Sequence, residues 1–328
     1  MFITFLCLTS GAKVAILYIM RLKMAQNFMP RALAVKTVKT RRNYLEEIIM
    51  KIAIAGLGLI GGSLAKAIKK NTEYTVYGYD ISRDVISAAM AEEAIDYSIQ
   101  PEEMSCCDLV IVALHPNETI DFILDNRENF KKDGIVIDCC GVKGAIVSAV
   151  EKPLSDAGVR FLGCHPMAGR EFSGFSYSLD NLFEKASFIM TPTDDTKMSA
   201  VKEISAFAYR TGFAKCVVSS PKEHDEIIAF TSQLAHVVSS AYIKSPSLGK
   251  QAGFSAGSFK DLTRVAKLNA DMWTTLFLMN KTALAAEVDH IIKALTDYRD
   301  CIAAGDAETL HRLLEEGSAL KEKSNNMR

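Results

Sequence analysis

Residues Lys51 to Ala65, KIAIAGLGLIGGSLA, constrain the fold of this chain more tightly than any other stretch. The apolar, β-type run Ile52-Ala53-Ile54-Ala55 enters the series Gly56-x-Gly58-x-x-Gly61, and a helical pattern follows at once. In a strand–turn–helix unit of this kind the first glycine permits the tight turn. The second removes a side chain from the path of a pyrophosphate, and the third lets helix and strand pack closely. The N–H groups at the helix start, and the dipole behind them, then face the phosphates. Glycine turns of this form also occur in α/β proteins that bind no nucleotide. Here a second strand, Thr75 to Tyr79, ends in Asp80 about twenty residues on, where a carboxylate can bind ribose hydroxyls. Gly56, Leu57, Gly58, Leu59, Ile60 and Gly61, with Asp80, are therefore assigned to a dinucleotide cofactor. Asp80 favours NAD over NADP because a carboxylate repels a 2′-phosphate. Arg83 either weakens that preference, as a further cofactor contact, or is a solvated surface charge.

The 328 residues are enough for about two domains. A net charge of −1 gives no reason to expect a nucleic-acid or membrane partner. Eight cysteines include the neighbours Cys106-Cys107 and Cys139-Cys140, with no CxxC or other metal-like spacing. Neighbouring cysteines rarely bridge, so the expectation is reduced thiols, no metal and a cytoplasmic protein. Residues 1–49 do not match the rest: they are basic, and their two apolar runs are too short to span a bilayer. They also lack the order of a signal peptide. We read them as a non-native extension or disordered leader, with Met50 as the natural start; a peptide from residues 1–49 recovered from the native protein would overturn this.

From Met50 the pattern alternates strand and helix. A short strand near Ile95 to Tyr97 is followed by Leu109 to Ala113, Ile135 to Asp138 and Arg160 to Cys164, apolar runs of the kind buried in parallel sheets. Ser187 to Thr191 and Cys216 to Val218 complete the sheet. Ser220-Pro221-Lys222-Glu223 is a strong helix start, and beyond it only helices are expected, at about 221–244, 259–268, 271–304 and 306–323. The fold class is α/β: a Rossmann-type, doubly wound, mainly parallel sheet at 50–219, then an all-helical substrate and dimerisation domain at 220–328. A helical layer this thin often buries its faces in a homodimer.

Ligands of open α/β sheets sit at the carboxyl ends of the strands. There the sequence places His115, in Ala113-Leu114-His115-Pro116-Asn117, and the run Asp138-Cys139-Cys140-Gly141-Val142-Lys143-Gly144. Just past Cys164 comes His165-Pro166-Met167-Ala168-Gly169-Arg170-Glu171. A neutral imidazole can take a proton as a hydroxyl becomes a carbonyl, so His165 is the candidate base, with a loop-bonded histidine as the plainer alternative. His115 fits a wall of the nicotinamide pocket. Ser232, His236 and Ser240 share one helix face, which can look toward water, a partner subunit or a cleft. Lys260 and Arg264, at i and i+4, form either a carboxylate-binding pair or a solvated basic face. Trp273, the sole tryptophan, also suits a core.

GLGLIGGSLA, Asp80, HPMAGRE at His165, the stretch from His224-Asp225 through Ser232 to His236, and GSFKDLTRVA followed by Met272-Trp273 together resemble prephenate dehydrogenase, the tyrosine-pathway family that includes arogenate dehydrogenases. The likeness runs from Met50 to about residue 320. It implies hydride transfer to NAD from ring carbon C4 of prephenate, deprotonation of the C4 hydroxyl, loss of the ring carboxylate as CO2, and 4-hydroxyphenylpyruvate as product. It implies that His165 assists the deprotonation, that Arg264 binds a substrate carboxylate, that His236 orients the substrate, and that Gly257 and Trp273 line the pocket with Lys260 nearby. Gly141 stands where many members have a serine that bonds the catalytic histidine, and Gln233 where many have histidine. The same chemistry on arogenate is the nearest alternative; a β-hydroxyacid dehydrogenase, an imine reductase or a non-catalytic NAD-responsive binding protein are further ones. If His165 is the base, turnover should rise with pH through about 6 to 7.

Overall fold

The computed structural model describes residues 50–170 and 172–326. Residues 1–49, including the expected leader, and Glu171 lie outside the described residues. The chain divides into two compact units. One runs up to Ile228 and takes in Lys267–Asn280; the other comprises Ala229–Ala266 and the segment from Lys281 onward.

The first unit is built on an eight-stranded sheet. Its strands are β1 (Lys51–Ala55), β2 (Thr75–Tyr79), β3 (Tyr97–Ser98), β4 (Leu109–Val112), β5 (Ile135–Asp138), β6 (Arg160–Pro166), β7 (Ser187–Thr191) and β8 (Lys215–Val218). The spatial order is β3-β2-β1-β4-β5-β6-β7-β8, and every pairing is parallel except β6 with β7. The order reverses between β1 and β4, which is where doubly wound sheets open a crevice for ligand. Helices α1 (Leu59–Asn71), α2 (Arg83–Ala91), α3 (Pro116–Asp125), α4 (Gly144–Asp156) and α5 (Met198–Arg210) flank it.

Alternation along the strands explains why the apolar runs are continuous. Ile52 and Ile54 pack with Leu64 and Ile68 of α1 and with Ile204 and Phe207 of α5. The next residues, Ala53 and Ala55, turn to the other face, with Ile123 of α3 and Ile146, Val150 and Leu154 of α4. Both faces are dry, so neither can carry the polar half of an amphipathic strand. Each fully buried Ile or Leu contributes about 1.5–3 kcal/mol. Cores on both faces therefore hold the carboxyl edge of the sheet rigid.

Several expectations about element ends need correction. The helix expected at 259–268 is Gly257–Thr263, and the one expected at 221–244 is interrupted by a π-helical turn at Ala229–Gln233. Two further differences bear on the site. The strand expected to stop at Cys164 continues through Pro166, because β7 pairs with it antiparallel, Cys164 opposite Met190 and His165 opposite Ile189. His165 thus lies inside β6. The single helix expected at 271–304 is two, α9 (Ala270–Met279) and α10 (Lys281–Ala304), broken at Asn280. The break lets the buried Asn280 carboxamide donate to the Asp225 carbonyl at 2.8 Å. Asp225 belongs to α6 (Pro221–Ile228), which with α9 completes the first unit.

The second unit is helical. A π-helical turn, Ala229–Gln233, leads into α7 (Leu234–Tyr242), followed by α8 (Gly257–Thr263), α10 and α11 (Ala307–Asn325). Helix α8 packs on α7, and α11 on α10. Asp306 caps α11 by accepting the Thr309 N–H at 3.0 Å.

Candidate active site

The glycine turn takes the form its sequence demands. Gly56 has φ +88° and donates its N–H to the Tyr79 carbonyl at 2.8 Å, tying the ends of β1 and β2. A Cβ at Gly61 would lie 1.8 Å from the Gly56 carbonyl oxygen, whereas one at Gly58 would meet nothing within 4 Å. The space in front of the α1 N-terminus is therefore open, and that first turn carries no acidic residue. These features fit a pyrophosphate. Asp80 accepts from the Leu57 N–H and the Ser82 N–H, both at 2.9 Å, which orients the carboxylate and leaves it lone pairs for ribose hydroxyls. The Leu57 side chain is buried and its N–H goes to Asp80, so Leu57 shapes the turn from behind. Leu59 and Ile60 open α1, and Arg83 is exposed at the start of α2. His115, exposed at the end of β4, is the residue before α3, with Pro116 supplying the first helical position.

Two strands farther along the same edge, a polar cluster is built into the core. Asp138 and Lys143 are both fully buried and form an ion pair. Asp138 also accepts the Cys140 N–H at 3.0 Å and the Cys164 N–H at 3.1 Å, while the Lys143 ammonium donates to the Cys164 carbonyl. This satisfies both charges and clamps β5 to β6 one residue before His165. Burial pushes the thiols of Cys139, Cys140 and Cys164 up, Cys140 to about 12, so they are neutral near pH 7.

His165 is half-buried, and its Nδ1 lies 2.9 Å from His224 Nε2. His224 Nδ1 in turn lies 2.8 Å from Asp225 Oδ1. The same carboxylate accepts the N–H groups of Lys143 and Gly144, each at 2.8 Å, and so closes the N-terminus of α4. Desolvation, then the nearby His224 and Lys143, hold the His165 imidazolium well below the usual histidine range, so His165 is neutral. A Cβ at Gly141 would stand 3.9 Å from His165 Nε2 and 3.7 Å from Leu276 of α9, ordinary contact distances. Trp273 shares α9 with Leu276 and lies against Phe277, ring centroids 5.3 Å apart.

In the second unit, His236 donates Nδ1–H to the Ser232 carbonyl at 2.8 Å, leaving Nε2 as an acceptor. Desolvation and the charge of Arg264 lower its proton affinity, so His236 and Arg264 are neighbours across α7 and α8. Arg264 follows α8 in helical geometry, which puts Lys260 one turn earlier on the same exposed side. Gly257 is the first residue of α8. The structure thus gathers His165 with the glycine turn and Trp273 in one unit, and His236 with Lys260, Arg264 and Gly257 in the other. His224, Asp225 and Asp138 were not singled out as functional from sequence. The adjacent His-Asp at the start of α6 was the available signal, and its meaning depends on a partner 59 residues away.

A doubly wound sheet with an open glycine turn, and a neutral histidine on its carboxyl edge, defines a nucleotide-dependent oxidoreductase. Family models agree: "Prephenate dehydrogenase, nucleotide-binding domain" matches residues 64–217, and "Prephenate dehydrogenase, dimerization domain" matches 220–316. The chain belongs to the prephenate dehydrogenase family. It is 30% identical over 282 residues to a prephenate dehydrogenase of Lactococcus lactis, covering 83% of this chain and 77% of that one. Among solved structures, prephenate dehydrogenase from A. aeolicus in complex with hydroxyphenyl propionate and NAD+ superposes with a TM-score of 0.76 at 30% identity, covering 84% of this chain and 98% of that one. Synechocystis arogenate dehydrogenase gives 0.72 at 25%, covering 84% and 100%.

Proposed function

We propose that this protein catalyses the NAD-dependent oxidative decarboxylation of prephenate to 4-hydroxyphenylpyruvate. The observation that carries the reading is a neutral His165 on the same sheet edge as the open glycine turn. The cofactor, when bound, supplies the hydride acceptor. Gly56, Gly58 and Gly61 admit its pyrophosphate, Asp80 holds a ribose, and His115 borders the nicotinamide end. The His165 imidazole takes the proton of the C4 hydroxyl as the ring carboxylate leaves, and aromatisation makes the step irreversible. Arg264 binds a substrate carboxylate; His236, Lys260, Gly257 and Trp273 complete substrate recognition. Residues 50–219 serve the nucleotide and 220–328 the substrate and subunit contacts.

The kinship to an arogenate dehydrogenase makes arogenate the second substrate to test. Purified protein with NAD+ and either compound, followed by NADH absorbance, decides between them; no NADH with either rejects the reading. We also infer a homodimer. Helices α10 and α11 expose Ile292, Leu295, Ile302, Leu314 and Leu320, and the matching family domain is described as a dimerization domain. Among the described residues no helix is long and apolar enough to cross a membrane. The seven described cysteines are all unbridged, which supports a cytoplasmic location.

A further inference from the structure

We propose that His224 and Asp225 form a positioning relay that fixes the tautomer of His165, so that its Nε2 is the atom that accepts the substrate proton. The inference rests on His165 being the base; its own content is which nitrogen acts and what sets that choice.

A carboxylate only accepts hydrogen bonds, so the 2.8 Å contact from Asp225 Oδ1 places a proton on His224 Nδ1. In the relay His224 carries that one ring proton and presents a lone pair at Nε2. That lone pair lies 2.9 Å from His165 Nδ1, which must donate to it. The proton of neutral His165 is thereby committed to Nδ1, and the Nε2 lone pair is left on the ring edge that borders Gly141. Asp225 is itself fixed by two backbone N–H groups of the α4 start and, through its own carbonyl, by Asn280. His224 is 2% exposed, and its two ring nitrogens face the Asp225 carboxylate and His165. The other charged groups around His165 are Asp138 and Lys143, already paired with each other, and the three nearby thiols are neutral.

The proton balance is simple. The O–H bond of the C4 hydroxyl breaks, an N–H bond forms at His165 Nε2, and the positive charge spreads over a ring whose Nδ1–H already points at His224. The Asp225 carboxylate stands behind that bond and stabilises the cation without taking the proton.

The test uses 15N-histidine spectra of the whole protein, with the His165 signals assigned from their loss in His165→Asn. The wild type should show pyrrole-like Nδ1 and pyridine-like Nε2 for His165. His224→Leu should lower kcat on the order of 10²- to 10⁴-fold, leave the KM for NAD+ unchanged within about twofold, and mix the His165 tautomers. His224→Gln keeps an oxygen acceptor for Nδ1–H, so it should recover part of the lost kcat and the single tautomer. Both substitutions leave the Asp225 cap of α4 in place. A protonated Nε2 in the wild type overturns the relay, as does a His224→Leu enzyme with wild-type kcat. A wild type inactive on prephenate and arogenate rejects the catalytic reading instead, and the tautomer measurement stands apart from it.

Discussion

At the scale of single residues, the proposed base and the proposed carboxylate binder have separable signatures. His165→Asn should reduce kcat by roughly 10² to 10⁴, the usual worth of a positioned general base. The active form needs a neutral imidazole, and burial lowers its proton affinity, so activity is lost only as pH falls through a value below the ordinary 6.5. The acid limb of kcat/KM should accordingly lie beneath 6.5, lower than the 6 to 7 expected of an unperturbed histidine; a limb at or above 6.5 contradicts the assignment. Arg264→Ala should act on KM for prephenate, by on the order of 30- to 1,000-fold if a desolvated charge pair of about 2–4 kcal/mol is lost. An unchanged KM rejects Arg264 as the carboxylate ligand. Of these residues, His165 and Arg264 stood out as candidates through the motifs that carry the family resemblance. His224 and Asp225 did not, because a buried histidine pair exists only once β6 and α6 have packed, and nothing in the spacing of 59 residues encodes that contact.

At the scale of elements, the link between β5, α4 and β6 is the one to disturb. Lys143→Met removes one partner of a fully buried ion pair and strands the Asp138 carboxylate. The loss should be about 3–5 kcal/mol, read as a lower urea midpoint with an unchanged slope. A variant as stable as the wild type would mean that the two backbone N–H groups donating to Asp138 satisfy its carboxylate without the ammonium. The elements also show where sequence reading succeeds. Strands dry on both faces, such as Ile52 to Ala55, announce themselves as continuous apolar runs, and capped helices such as α6 by their first turn. Boundaries set by a neighbour were missed. β6 reaches Pro166 because β7 pairs with it, and α9 stops at Met279 because Asn280 is needed elsewhere.

At the scale of the whole molecule, the assembly prediction concerns α10. Ile302, 63% exposed, and Leu295, 59%, lie on a helix whose partners within the unit cover only part of it. The double change Leu295→Glu and Ile302→Glu should convert a dimer of 36.0 kDa chains to monomer in sedimentation velocity, with helical content retained. A wild type that sediments as a monomer at micromolar concentration refutes the dimer. The domain order was readable from the shift from alternating elements to helices near Ser219, and the membership of α9 in the sheet unit was not, since a chain can return to a unit it has left without marking the return in its composition.

One carboxylate, that of Asp225, both closes the start of α4 and backs the imidazole pair. Folding and chemistry therefore share a fastening. The amide protons of Lys143 and Gly144 become gauges of the active site: if they exchange with solvent faster, the imidazoles have lost their anchor before any strand has separated. A substitution that loosens this helix start therefore disturbs the same carboxylate on which the proposed relay depends.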